Sequence, residues 1–327
     1  MASPLIEVKN LTKNYHGRRL NVFSQNRDVL TAVNNVDLTF FKGEVMGLVG
    51  ESGCGKSTLG KSILQLIKPT SGNVLFDNTE LTGLNDELLR KKRADMQYIF
   101  QDPQNCLNAV KTVRWILEEP LLAHGIRDKD KRMSLVMNML DMAGMSGAYL
   151  NRRPRELSGG QAQRIAILSA LILKPRFVVA DEPVSALDVS IQAQILNFIN
   201  ELKASMNLTI LFITHDLSVC HYMSDRIGVM YLGSIVEIGD ADTVYTNPLH
   251  PYTKMLFSSV MNIKTEHRKV YRQNSNNTNG TELDQKAHHK GCPYNSLCRY
   301  KMQVCKEIFP GLYNVDGRKV RCLLYKK

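Results

Sequence analysis

The 327-residue chain has room for one large domain or two modest ones, and its 43% hydrophobic content is ordinary for a globular protein with a sizeable core. Its longest nearly uninterrupted apolar stretch, Ile165 to Leu173, falls well short of the roughly 18 residues a membrane crossing needs, which excludes a bilayer-spanning segment. The formal charge of +11 is concentrated in residues 264–327, where 14 Lys/Arg face 5 Asp/Glu; a nearly neutral core with a basic tail suits either docking beside a membrane surface or an acidic partner, or a simply solvated tail, better than it suits nucleic acid.

The N-terminus, "MASPLIEVKN", lacks the basic flank and apolar block of a secretory signal, so a cytoplasmic location is expected. In that reducing compartment the seven cysteines are not expected to pair, and any cluster among them is read first as a metal or redox site. Residues 1–45 alternate short apolar runs with Asn, Asp and Gly, a pattern of strands and turns. "EVMGLVG" is a compact apolar strand, and "KSTLGKSILQLI" carries the helical spacing Leu59, Ile63, Leu64, Ile67 up to Pro69. From about 105 to 157 the pattern becomes charged, Met-rich and amphipathic, as in a helical insertion. "RFVVAD", "SIQAQILNFINELKASM" and "LTILFITHD" then read as strand, helix, strand, the crossover a parallel sheet requires. Short strands resume over 227–240 around Gly233 and Gly239. Residues 264–290 are polar and Asn-rich, a linker in which His288 and His289 fall, and 291–327 form a short cysteine-bearing module.

Gly50 to Ser57 fits G-x-x-x-x-G-K-[ST] between a strand and a helix, the context of a phosphate-binding loop. Its amides would wrap phosphates, Lys56 would neutralise the β/γ oxygens, and the Ser57 hydroxyl would bind Mg²⁺. Cys54, inside the loop, reads as a small tolerated side chain. The strand "RFVVADEP" ends in two adjacent carboxylates, with Asp181 placed for Mg²⁺ and Glu182 for polarising an attacking water. Together these indicate nucleotide hydrolysis and leave the NTPase class open.

"ELSGGQAQR", Glu156 to Arg164, resembles the signature motif of ATP-binding-cassette ATPases. Gln101 in "FQDP" matches that family's Q-loop, "SALD" (Ser185 to Asp188) its D-loop, and His215 in "ITHD" its switch histidine; Tyr15 is the candidate for stacking on adenine. The resemblance covers residues 5–263 and implies an α/β P-loop NTPase core with an antiparallel β subdomain and a helical subdomain, the whole cassette spanning 1–263. It implies catalytic roles for Glu182, His215 and Gln101, Mg²⁺ held through Ser57, Gln101 and Asp181, and ATP contacts from Tyr15, Gly50, Ser52, Gly53, Gly55, Lys56, Ser57 and Thr58. Ser158, Gly159, Gly160 and Gln161 would close on the nucleotide of a partner subunit in a head-to-tail dimer.

A closer resemblance, carried by "DEPVSALDVSIQAQILN", "SDRIGVMYLGSIVEIGD" and "NPLHPYTKML", is to the ATPases of bacterial oligopeptide, dipeptide and nickel importers. It implies a second, non-identical ATPase subunit, two transmembrane permease subunits, an extracytoplasmic solute-binding protein, and work at the cytoplasmic face of the membrane. Cys292, Cys298, Cys305 and Cys322 follow C-x5-C-x6-C-x16-C, where several members of that group bear an iron–sulfur cluster. Four thiolates suit [4Fe–4S] or zinc, and the absence of tight C-x2-C pairs favours the former. "PQNCLNAVKTV" departs from the P-x-A-S-L-N-P type of sequence seen in relatives, at the segment expected to meet the permease. Alternatives to peptide import are uptake of nickel or a metal chelate, or a non-transport cassette acting on DNA or the ribosome.

Overall fold

The computed structural model describes residues 3–16, 29–102, 106–261 and 290–326. The expected linker, with His288 and His289, lies outside the described residues apart from Lys290. Two long strands open the chain, β1 (Pro4–His16) and β2 (Val29–Phe41), and the fully buried β3 (Val45–Val49) leads through a glycine loop into helix α1 (Lys56–Ile63). Strands β4 (Ser71–Phe76) and β5 (Thr79–Glu80), helix α2 (Asp86–Lys92) and strand β6 (Met96–Ile99) follow. Helices α3 (Val113–Ala123) and α4 (Lys129–Met142) start where the Thr112 and Asp128 side chains accept amide hydrogen bonds from the first turn. Helix α5 (Gly159–Leu171), strand β7 (Phe177–Asp181), helix α6 (Val189–Met206) and strand β8 (Thr209–Ile213) complete the expected alternation. The remainder holds helix α7 (Leu217–Met223), strands β9 (Arg226–Tyr231) and β10 (Ser234–Asp240), helices α8 (Ala241–Thr246) and α9 (Pro251–Met261), and two short strands, β11 (Tyr313–Val315) and β12 (Arg318–Val320).

These elements divide into two compact units. One comprises Met1–Pro4, Phe40–Val45 and Gly83–Thr214. Its centre is the parallel trio β6, β7, β8 with β7 in the middle, in register from Met96 opposite Phe177 and from Phe177 opposite Thr209. All residues of β7 and β8 are buried, as strands covered on both faces must be, and their runs are accordingly continuous Val, Ile, Leu and Phe rather than alternating. Phe40 meets Phe177 edge-on at a centroid distance of 5.2 Å. Helix α3 packs on α4 and α5, and α5 packs on α6 and on β6.

The other unit comprises Leu5–Thr39, Met46–Thr82 and His215–Lys327. It holds the antiparallel sheet β2-β1-β4-β5, together with β3 paired parallel to β9 and β9 paired antiparallel to β10. The β9–β10 hairpin turns through Leu232 and Gly233, both at positive φ, the two-residue turn whose twist matches that of its strands. The tail adds two strands: β12 pairs with β10, Glu237 opposite Val320, and β11 pairs with β12. Gly239 sits inside β10 rather than in a turn, and the stem of Arg318 lies where its side chain would be. Arg318 and Arg321 are buried; Arg321 donates to the Ile235 and Pro310 carbonyls at 2.9 and 3.0 Å and lies over the Phe309 ring.

One expectation needs correction. The helix after the glycine loop stops at Ile63 instead of running on to Ile67, because Gln65 takes a left-handed φ of 54° and turns its amide side chain back onto the Ser62 carbonyl, closing the helix end.

Candidate active site

In the second unit the chain leaves β3 at Val49 and turns through Gly50, Gly53 and Gly55, all at positive φ. A Cβ on Gly55 would run into the Ala32 carbonyl, so glycine is required there on both conformational and steric grounds. No side chain caps the start of α1, the arrangement by which a helix N-terminus receives an anion on its amides and positive dipole end. Lys56 is buried; its Nζ donates to the carbonyls of Gly50 at 2.7 Å and Glu51 at 2.9 Å and lies 3.8 Å from Cys54 Sγ. Burial pushes the Cys54 thiol pKa up, more than the Lys56 charge lowers it, which favours the neutral thiol over the nucleophilic thiolate. Ser52 and Gly53 are exposed, while Ser57 and Thr58 are partly buried on the first turn of α1. Tyr15, near the end of β1, is exposed with the Lys13 ammonium 5.2 Å from its ring centre. His215 is also exposed, and the neighbouring Asp216 caps α7 by accepting from the Ser218 and Val219 amides.

In the first unit β7 ends at Asp181, buried, whose carboxylate accepts a hydrogen bond from the Tyr98 hydroxyl on β6 at 2.5 Å. Burial and the Asp181 charge hold the Tyr98 phenol protonated far above the usual tyrosine range, so it acts only as a donor here. Glu182 takes a left-handed φ of 46°, and its amide donates to the Ile213 carbonyl at 2.9 Å. Gln101 Nε2 donates to the Glu182 carboxylate at 2.9 Å, so two residues expected to act together are in contact. Ser185 of "SALD" donates to the Glu182 carbonyl at 3.2 Å, and Asp188 stands just before α6.

"SGGQ" forms the start of α5. Ser158 Oγ accepts from the Gln161 amide while Gln161 Oε1 accepts from the Ser158 amide, a reciprocal capping box. Gln161 Nε2 also donates to the Tyr149 hydroxyl at 3.1 Å. The two glycines permit close packing: Leu187 lies against Gly159, and Ile191 fills the space a Cβ on Gly160 would need. Ser158 itself is exposed. Tyr98 and Tyr149 were not evident in the sequence. The one available cue was a hydroxyl-bearing aromatic in the run "MQYIF", three residues before Gln101.

The four tail cysteines are drawn together. The Cys292 amide donates to the Cys305 carbonyl, Cys292, Cys305 and Cys322 are buried, and burial pushes the Cys292 thiol up to about 11, with the other three cysteines adding to the rise. The donor chemistry is that of a thiolate-bound metal, yet among the described residues no group of three or more His, Cys, Asp or Glu is placed to hold one. The expected iron–sulfur cluster or zinc therefore gains no support from the placement of these residues. Cys292 and Cys305 belong to a hydrophobic cluster with Tyr231, Tyr252, Tyr294 and Leu323.

Comparison with known proteins agrees with both ends of the chain. Residues 33–185 match the "ABC transporter" family model, and residues 236–305 match "Oligopeptide/dipeptide transporter, C-terminal region". The chain is 44% identical over 324 residues to the oligopeptide transport ATP-binding protein AppF of Bacillus subtilis (strain 168), covering 98% of this chain and 97% of that one. It is 47% identical to the dipeptide transport ATP-binding protein DppF of Lactococcus lactis subsp. cremoris (strain MG1363), covering 78% of this chain and 81% of that one. Among solved structures it is similar to the dimeric post-hydrolysis state of the ATP-binding cassette MJ0796 bound to ADP and Pi. That match has a TM-score of 0.63 and 31% identity, and covers 72% of this chain and 98% of the other.

Proposed function

The chain belongs to the ATP-binding-cassette transporter family as the ATP-hydrolysing subunit of an importer, and from that premise we propose that it powers uptake of oligopeptides or dipeptides. The loop amides from Gly53 to Thr58 wrap the phosphates, Lys56 exchanges its loop carbonyls for β/γ oxygens, and Tyr15 stacks on the adenine. Ser57, Gln101 and Asp181 offer the oxygen donors a hard cation takes, and Mg²⁺ held by them would neutralise charge on the β- and γ-phosphates. Glu182 takes the proton of the attacking water, and His215 senses the γ-phosphate. The observation that carries the hydrolytic role is the Gln101–Glu182 hydrogen bond, which fixes the direction of the base before substrate arrives.

Ser158, Gly159, Gly160 and Gln161 serve the nucleotide of a second cassette, a non-identical subunit, so that ATP holds the two together and its hydrolysis lets them part. Two permease subunits convert that closure into transport, a solute-binding protein delivers the peptide from outside, and the chain works at the cytoplasmic face of the membrane. No helix among the described residues is long and apolar enough to cross a membrane itself.

Because the catalytic geometry is completed only on closure, the purified chain binds ATP but hydrolyses it slowly, and the partner cassette with the permeases raises the rate. Full ATPase activity as a strict monomer in gel filtration would overturn this.

A further inference from the structure

Tyr252, the second residue of α9, is fully buried, and its phenolic oxygen accepts a hydrogen bond from the Glu51 amide at 3.2 Å. Glu51 is the point where the buried strand has become the phosphate loop. The carbonyl of the same residue is taken by Lys56 Nζ, so the entry to the loop is fixed by its N–H on one side and its C=O on the other. The Tyr252 ring is held in turn. Its own amide donates to His250 Nδ1 at 3.1 Å, and the buried Glu237 carboxylate accepts from the Leu249 and His250 amides, anchoring the start of α9. The ring packs between Tyr231, at 4.5 Å between centroids, and Tyr294, at 5.5 Å; Tyr294 also meets Tyr231 edge-on at 5.3 Å. Tyr294 comes from the tail, two residues beyond Cys292.

We infer that Tyr252 is a positioning residue for nucleotide binding and that Tyr294 couples the cysteine-bearing tail to the phosphate loop through it. This rests on the ATPase function proposed above. A site built from backbone amides binds well only when its loop is already set, since otherwise the ordering cost is subtracted from the affinity. Lys56 has to release the Gly50 and Glu51 carbonyls to meet a phosphate. The bond from the Glu51 amide to Tyr252 then still ties the entry to the loop to the body of the unit, while the Cys54 amide, 3.3 Å from the Glu51 carbonyl, holds it only to the loop itself. Without the phenolic oxygen, the Glu51 amide loses its tie to α9 and the entry to the loop is less firmly set.

Calorimetric titration of the full-length chain with ATP and Mg²⁺ tests this. Absence of saturable binding by the unmodified chain would defeat the ATPase function itself; the inference is judged on the variants. Tyr252→Phe keeps the ring and removes the accepting oxygen, and it weakens ATP binding about three- to tenfold. Tyr294→Ala weakens binding in the unmodified background but adds little in the Tyr252→Phe background, a coupling that general loosening of the tail would not give. Unchanged affinity in Tyr252→Phe, or full additivity of the two changes, overturns the inference. Should Tyr252→Phe not fold, hydrogen exchange of the Glu51 amide in Tyr294→Ala decides: faster exchange than in the unmodified chain supports the coupling, and an unchanged rate overturns it.

Discussion

Gln101 and Glu182 lie 81 residues apart in the chain, yet the amide nitrogen of one donates to the carboxylate of the other at 2.9 Å. The contact arises because β6 and β7 are parallel neighbours, so the residues just beyond their C-terminal ends emerge side by side. The Glu182 main chain is further fixed by its left-handed φ and by its amide bond to the Ile213 carbonyl. Replacing it as Glu182→Gln removes the proton acceptor while preserving shape. Hydrolysis by the assembled transporter should fall by about 10²–10⁴-fold, with ATP binding retained, as measured by phosphate release and nucleotide titration.

Tyr98→Phe tests the donor to Asp181. It leaves a buried carboxylate short of one hydrogen bond, a loss of about 1–3 kcal/mol in folding stability. Urea unfolding should register that loss, and the Mg²⁺ concentration needed for half-maximal hydrolysis should change, because the oxygen freed from Tyr98 is one the cation can use.

The start of α5 gives a separate test. In Gly160→Ala the added methyl requires Ile191 to move, which shifts the α5 N-terminus against α6. ATP binding by the isolated chain should stay as it was, whereas hydrolysis by the assembled transporter should drop by about tenfold or more, since the signature would act on the partner's nucleotide.

His250 supplies a pH dependence. Burial lowers its pKa from 6.5 to about 3, opposed by a backbone hydrogen bond with Arg321, so the folded chain keeps it neutral while the unfolded chain protonates it near 6.5. Its contribution is complete above pH 6.5 and is lost as pH falls toward 3, with a slope of about 1.4 kcal/mol per pH unit from this group. His250→Gln should flatten the fall in stability between pH 6 and 4, measured by urea unfolding at successive pH values.

The glycine loop running straight from β3 into α1 and the apolar run closing on Asp181 and Glu182 were legible in the sequence because each is local. The strand–helix–strand order through β7, α6 and β8 was legible for the same reason. What escaped was set by pairing between distant segments. Tyr98 reaches Asp181 only through the register of β6 on β7, and Tyr252 reaches the Glu51 amide across 201 residues. The tail illustrates the same limit. Its cysteine spacing does not report that β12 would pair with β10, or that Cys292 and Cys305 would stand among buried apolar side chains.

The central claim is that ATP hydrolysis by this chain drives peptide import. Its most direct test is uptake of a radiolabelled tripeptide into vesicles holding the chain with its partner cassette, two permeases and solute-binding protein. Uptake should require ATP, stop with Glu182→Gln, and proceed together with peptide-stimulated phosphate release. Uptake that continues at the same rate with Glu182→Gln, or hydrolysis with no movement of peptide, would contradict the account.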